Sequence, residues 1–380
     1  MRRLAVIVCC VVAVAACSSS SKSSGTGPST TTPAATSAPT TTTVPSGPRA
    51  IGHVFVINLE NSDYDTTWGA ASPARYLNAT LRKQGKLLTQ YYGIGHASLD
   101  NYIAEVSGQS PNPSTQSDCI QYIDFEPTGT GTGKYGQALG KGCVYPKAFT
   151  TIGDQLTAGK TWRAYQEDMG TPCRHPAIGT NDETIGPKPG DMYATRHNPF
   201  VYFHSIIDAP AACAKNVVDF DRLPPDLRSV ATTPNFSFIT PNVCHDGHDA
   251  PCVDGEPGGL VSADRFLTDV VPKILASPAY KADGMLVITL DEATITNSAA
   301  CCNTPVSPNV DKPGLGGPGG GRIGTLLISA QVKPGTSVAT PYNHYALLCS
   351  LEDIFGLKHL GFAGAPGLTC FGKDVYDGKP

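Results

Sequence analysis

Two apolar runs in this 380-residue sequence end in oxygen-bearing side chains. The stretch GMLVITL, 284–290, hands the chain to Asp291 and Glu292, and HVFVINL, 53–59, hands it to Glu60 and Asn61. Carboxylates and an amide at two strand ends are hard oxygen donors of the kind a divalent cation takes. A cation held there would lower the pKa of a coordinated hydroxyl and neutralise phosphate charge. The stretch GIGHASLDNYIAEVSG offers such a hydroxyl. Ser98 precedes Leu99, Tyr102, Ile103 and Val106 at helical spacing, which predicts Ser98 at a helix N-cap. Helix N-termini carry free N–H groups and a positive dipole end, so a serine there can attack phosphorus while amides hold its oxygens. Beside this chemistry stands a plainer role for each residue, capping a helix or closing a turn.

Histidines cluster as well. After the run NFSFIT, the loop TPNVCHDGHDAPC sets His245, Asp246, His248 and Asp249 between Cys244 and Cys252. Such a density of ligand and proton-transfer groups in one clipped loop points to a site. His344, in TPYNHYALL, precedes another helical pattern and is a candidate for a further ligand or a phosphate contact. His197, in RHNPFVYF, is a candidate of the same kind, whereas His53, His175, His204 and His359 read as structural or surface residues.

Something must position these groups. The runs HVFVINL, TWRAY, NFSFIT, GMLVITL and IGTLLISAQV have strand length, and Ala263–Ser277 and Tyr345–Leu357 show helical spacing between or after them. Strands apolar on both faces suit a parallel sheet covered by helices, so the expected fold is α/β, a three-layer α/β/α sandwich with a mainly parallel central sheet. Open sheets of this type bind ligands outside the carboxyl ends of their strands, where both acidic pairs lie. The segment Asn303–Arg322, with GLGGPGGG, fits no phosphate-loop spacing and reads as a flexible loop near the site.

Composition narrows the class. Residues 1–17 combine a basic start, a short apolar stretch and VAAC, the pattern of an export signal whose Cys17 is the lipidated residue of a lipobox. Residues 18–49 are nearly all Ser, Thr, Pro, Gly and Ala and read as a tether, leaving residues 50–380 as one domain. The expected location is the cell envelope, on the outer face of the membrane through the lipid anchor, or secreted. A net charge of -4 with no basic cluster speaks against nucleic acid as a partner. Three of the thirteen cysteines fall in the leader, and the remaining ten suggest disulfides in an oxidising compartment. Short separations favour Cys119 with Cys143, Cys244 with Cys252 and Cys349 with Cys370, while Cys173, Cys213, Cys301 and Cys302 stay unassigned.

The ordered motifs ENSDYD, HASLDNYIAEVSG, TPNVCHDGHD, LVITLDE and TPYNHYALLCSLEDIFGL resemble the phosphoesterase family of secreted acid phosphatases and phospholipases C, a branch of the alkaline-phosphatase superfamily. The similarity runs from about His53 to Leu357. It implies Ser98 as a phosphate-accepting nucleophile and Glu60, Asn61, Ser98, Asp291 and Glu292 around a divalent metal ion, with room for a second. Asn61, His197 and His248 are then phosphate contacts, and His248 and His344 assist catalysis. Ala97 and Asp100 stand where the family's serine motif has prolines, and ATITNSAACCN follows Glu292 where phospholipase C relatives read Gly-Phe-Asp-His. Those relatives also carry further β domains, whereas this sequence ends at Pro380. The expected activity is a metal-dependent phosphomonoesterase, acid phosphatase-like, acting through a phosphoserine on a small phosphate ester. A phosphodiesterase or phospholipase C, and a non-catalytic envelope binding lipoprotein, are the alternatives.

Overall fold

A computed structural model describes residues 50–377 of the chain. The export signal, Cys17 and the tether lie outside the described residues. Strand β1, His53–Leu59, is buried along its whole length. Val54, Phe55, Val56 and Ile57 are at most 1% exposed, so both faces of the strand are covered, as the centre of a parallel sheet requires.

The other strands are β2 (Lys86–Leu88), β3 (Trp162–Gln166), β4 (Val217–Asp219), β5 (Phe236–Thr240), β6 (Gly284–Leu290), β7 (Thr325–Ser329) and β8 (Thr336–Val338). They form an eight-stranded sheet in the order β8-β2-β7-β6-β1-β5-β3-β4. Only β7 runs against its neighbours. All five runs expected as strands are present. The short β2, β4 and β8 were not expected, because three residues carry no readable periodicity.

Three longer helices matter for the site: α1 (Ser98–Ser107), α2 (Gly259–Ala276) and α3 (His344–Phe355). Helices α1 and α3 pack on each other, while α2 packs on the short π-helix Tyr76–Leu81, which completes the three-layer α/β/α arrangement. The Asp264 carboxylate of α2 fixes that π-helix by accepting the N–H groups of Tyr76 and Leu77 at 2.9 and 2.8 Å.

Register explains why the two acidic pairs meet. Strands β1 and β6 are adjacent and parallel with Leu59 opposite Leu290, so the next residues, Glu60 and Asp291, leave the sheet side by side. The N–H of Asp291 donates to the carbonyl of Leu59 at 3.0 Å, and the N–H of Glu60 to that of Asp246 at 2.8 Å. A one-residue slip would have turned one acid to the other face of the sheet. A small parallel pairing of Tyr91–Tyr92 with Tyr342–Asn343 does the same for the segments leading to Ser98 and His344.

The glycine-rich segment differs from expectation. Rather than hanging free, it is tied to the loop before Ser98: the N–H of Gly320 donates to Gly93 at 3.1 Å, and the N–H of Gly93 to Gly321 at 2.9 Å. A side chain at Gly320 would come within 2.3 Å of the Gly95 carbonyl, so this close backbone approach requires glycine.

All three expected disulfides occur, together with Cys173–Cys213 and the vicinal pair Cys301–Cys302. Cys244–Cys252 closes the His/Asp-rich loop. Such crosslinks mark an exported chain and typically contribute about 2–4 kcal/mol each. Reductant is therefore expected to lower the melting temperature of the folded domain by well over ten degrees in calorimetry; an unchanged melt would mean that the crosslinks do not contribute.

Candidate active site

Ser98 is not the N-cap of α1. Ala97 holds that position in extended geometry, and Ser98 is the first helical residue. Its hydroxyl is thereby free to leave the helix backbone and donates to Glu60 Oε2 at 2.9 Å. The capping work passes to Asp118, twenty residues on in the chain, whose Oδ1 accepts the N–H of Leu99 at 3.0 Å. The N–H of Asp100 is also taken, by the Ala97 carbonyl at 3.0 Å. These two amides at the start of α1 are thus engaged by the protein itself.

Glu60 is the hub. It is 1% exposed, and its second oxygen accepts the Tyr102 hydroxyl at 2.6 Å. Burial, reinforced by the Asp291 and Asp246 carboxylates, pushes its acid well above the usual range. Asp291 is pushed up to about 7, chiefly by burial, even though the N–H groups of Asn61 and Glu292 donate to its Oδ1 at 3.1 and 2.6 Å. Asn61 reaches that position with a φ of +42°, in the left-handed region that asparagine tolerates better than most residues.

His197 and Asp246 complete the buried group. His197 Nδ1 lies 3.0 Å from Asp246 Oδ2, and Nε2 faces Glu60 Oε1 at 3.5 Å. Burial, then the positive charges of Arg196 and His248, hold the imidazole well below its usual pKa, so it is neutral. The Asp246 carboxylate selects the Nδ1–H tautomer and leaves the Nε2 lone pair aimed at Glu60. Ligand atoms of Glu60, His197 and Asp246 all lie within 4.8 Å of one another. The sequence paired His197 with phosphate and named Asp246 only as part of the His/Asp-rich loop; the structure places both on Glu60's side of the site.

Two other expected residues sit elsewhere in the arrangement. His344 is fully buried, with Nε2 at 2.6 Å from the Asp291 carbonyl and Nδ1 at 2.8 Å from Glu105. Burial opposes its charge, but the Glu105 carboxylate and the Asp291 carbonyl outweigh it and raise the pKa. Both nitrogens of His344 are thus engaged by protein acceptors, and the ring lies behind Asp291. Glu292 is likewise committed: its carboxylate accepts the Asn101 amide at 2.9 Å and faces His96 at 3.5 Å. Asn101 in turn accepts the N–H groups of Ile94 and Gly95, so Glu292 anchors the loop that presents Ser98.

The opposite side of the site holds His248 and Arg196. His248 is exposed, held by Asp249 at 2.7 Å and by its backbone N–H donating to Asp246 at 2.8 Å. Its Nε2 lies 3.4 Å from Nη2 of Arg196. Sequence reasoning passed over Arg196, Tyr102 and Glu105. The adjacency of Arg196 to His197 was the only available signal.

Buried carboxylates facing one another call for a counter-charge. Asp291 Oδ2 and His197 Nε2, both facing this group, have no hydrogen-bond partner among the described residues. An oxygen-rich donor set with a neutral imidazole at its edge fits a divalent cation. A separate apolar cavity of about 200 Å³, lined among others by Ile94, Val306 and Phe362, lies behind the serine loop and includes none of the acidic, histidine or arginine side chains described above.

Strand-end acids converging on a helix-borne serine at the carboxyl edge of a parallel sheet define the class of α/β protein to which comparison can be made. Residues 76–358 match the Phosphoesterase family, and the chain belongs to that family. The match takes in Ser98, His197, Asp246, Asp291 and His344 and begins after Glu60. Among curated relatives, a probable acid phosphatase of Kluyveromyces lactis is 28% identical over 82% of this chain and 60% of its own length. A phosphate-repressible acid phosphatase of Penicillium chrysogenum is 27% identical over 80% of this chain. The chain thus spans less than two thirds of the length of either, 60% and 58%. A phosphatidylinositol-3-phosphatase of Mycobacterium tuberculosis is 26% identical over 83% of this chain and 81% of its own length. A solved structure of an alkaline phosphatase superfamily protein from Vibrio parahaemolyticus aligns with a TM-score of 0.49 at 13% identity, over 82% of this chain and 68% of that one.

Proposed function

We propose that this protein is a phosphomonoesterase in which Ser98 is the nucleophile and a phosphoserine the intermediate. The observation that carries the reading is the 2.9 Å hydrogen bond from the Ser98 hydroxyl to Glu60, inside a buried acidic group and opposite the side chains of His248 and Arg196. A nucleophile, a proton acceptor and an anion-facing wall are then in one place.

Ser98 Oγ attacks phosphorus in line as the bond to the leaving alkoxide breaks, and its proton passes to Glu60. His248, exposed at the mouth of the site, gives a proton to the alkoxide. Water then attacks the phosphoserine from the side the alcohol has left and gives a proton to His248; the bond from phosphorus to Ser98 Oγ breaks, inorganic phosphate leaves, and Ser98 takes its proton back from Glu60. Tyr102 and His197 keep Glu60 oriented, and His344 does the same for Asp291. A divalent cation would be held by Glu60 and Asp291 next to the Ser98 hydroxyl, with Asn61 and Glu292 flanking, and Glu60, His197 and Asp246 offer a second grouping. Such an ion supplies charge neutralisation and a more acidic serine.

The names of the relatives support hydrolysis of phosphate monoesters, small or lipid-borne. A substrate panel on metal-reconstituted protein tests the reading. p-Nitrophenyl phosphate is expected to be turned over at least about 100-fold faster, by kcat/KM, than bis-p-nitrophenyl phosphate or phosphatidylcholine. Preference for either diester would replace the reading with a phosphodiesterase or phospholipase C.

A further inference from the structure

Arg196 carries a buried cation with no acid in its grip. It is 5% exposed, its Nη1 has no hydrogen-bond partner among the described residues, and its Nη2 meets His248 Nε2 at 3.4 Å. Burying an unpaired guanidinium is costly, so a fold that keeps one must gain from it elsewhere.

Its position says where. Arg196 lies on the short turn Thr195–His197, and the next side chain, His197, faces Glu60, whose other oxygen holds Ser98. Its charge also acts on Asp246 and on Asp118, the residue that caps α1 beside Ser98. The guanidinium therefore stands on the Ser98 side of the molecule without forming an ion pair there. A phosphoryl group on Ser98 would need donors for its free oxygens, and the N–H groups of Leu99 and Asp100 are already used.

Resting on the phosphoryl-transfer reading above, we propose that Arg196, backed by His248, is the anion-binding residue of the site and sets its preference for dianionic monoesters over singly charged diesters. A planar guanidinium donates two parallel N–H bonds and matches two phosphate oxygens. Away from water its attraction grows with ligand charge, and a monoester carries one more charge than a diester. Selectivity follows from the charge difference at one residue.

Two measurements test this. Kinetics of the wild type, Arg196→Gln and Arg196→Lys on p-nitrophenyl phosphate and bis-p-nitrophenyl phosphate should show the Gln variant losing about 100-fold in kcat/KM on the monoester and less than about tenfold on the diester. The Lys variant should recover part of the monoester rate, since it keeps the charge and loses the fork. Calorimetric titration of inorganic phosphate into Ser98→Ala protein should give an affinity that falls about 100-fold when Arg196→Gln is added, with melts of all variants compared in parallel. Equal losses on both esters, or unchanged phosphate affinity, would overturn the proposal and leave Arg196 a structural residue. Should the wild type hydrolyse neither ester, the catalytic reading fails alone, and the phosphate titration still decides the role of Arg196.

Discussion

Ser98→Ala is expected to remove turnover of p-nitrophenyl phosphate by a factor of about 10⁴ or more while shifting the melt by only a few degrees. The kinetic loss follows from the role of the hydroxyl as the attacking atom, for which alanine offers no substitute. The small structural cost follows from position. Ser98 is the first residue of α1, where alanine is well tolerated, and the cap of that helix comes from Asp118 rather than from the serine. Glu60 would still hold the Tyr102 hydroxyl at 2.6 Å. Retained activity would remove Ser98 from the chemistry, and collapse of the melt would make its bond to Glu60 structural.

Asp291→Asn is expected to lower kcat/KM by about 10²-fold or more and to lower the bound metal measured by elemental analysis in the same proportion. Asparagine keeps an oxygen that can accept the N–H groups of Asn61 and Glu292, so the local backbone is preserved. What it removes is charge. The sign of the stability effect can be worked out for chelator-treated protein. The Asp291 acid is raised from 3.8 to about 7 on folding, so the folded state holds a proton that the unfolded chain has released, and stability is lost as pH rises through that interval. Chelated wild type should therefore melt progressively lower than chelated Asp291→Asn as pH climbs from 4 to 8. A wild-type advantage that grows with pH, or unchanged metal content in the variant, would contradict the placement of Asp291.

The strand-end acids were legible because β1 and β6 are apolar throughout and stop abruptly at charge. Their contact depends on the register of Leu59 with Leu290, which two separate strings of letters do not reveal. The serine was legible as the start of a helix. Its place one residue inside was not, because the residue that frees its hydroxyl, Asp118, is distant in the sequence. The partners of His344 were hidden for a related reason: it begins a helix beside the site, but its ring meets a backbone carbonyl, and no side-chain motif encodes a carbonyl. Arg196 sits in a run rich in aromatics, where a lone basic residue resembles a solvated charge; only its burial and its bare Nη1 separate it from that role. Short-range disulfides could be read from spacing, whereas Cys173–Cys213 spans 40 residues and required the packing of β3 and β4 to be known.

The central claim is that phosphorus is transferred to a side chain of the protein. Acid-quenching the full-turnover enzyme and mapping its peptides by mass spectrometry tests it most directly. The account predicts one phosphoryl group on the peptide carrying Ser98, absent from the Ser98→Ala protein. Turnover with no phosphorylated peptide, or with the label on a histidine, would contradict it.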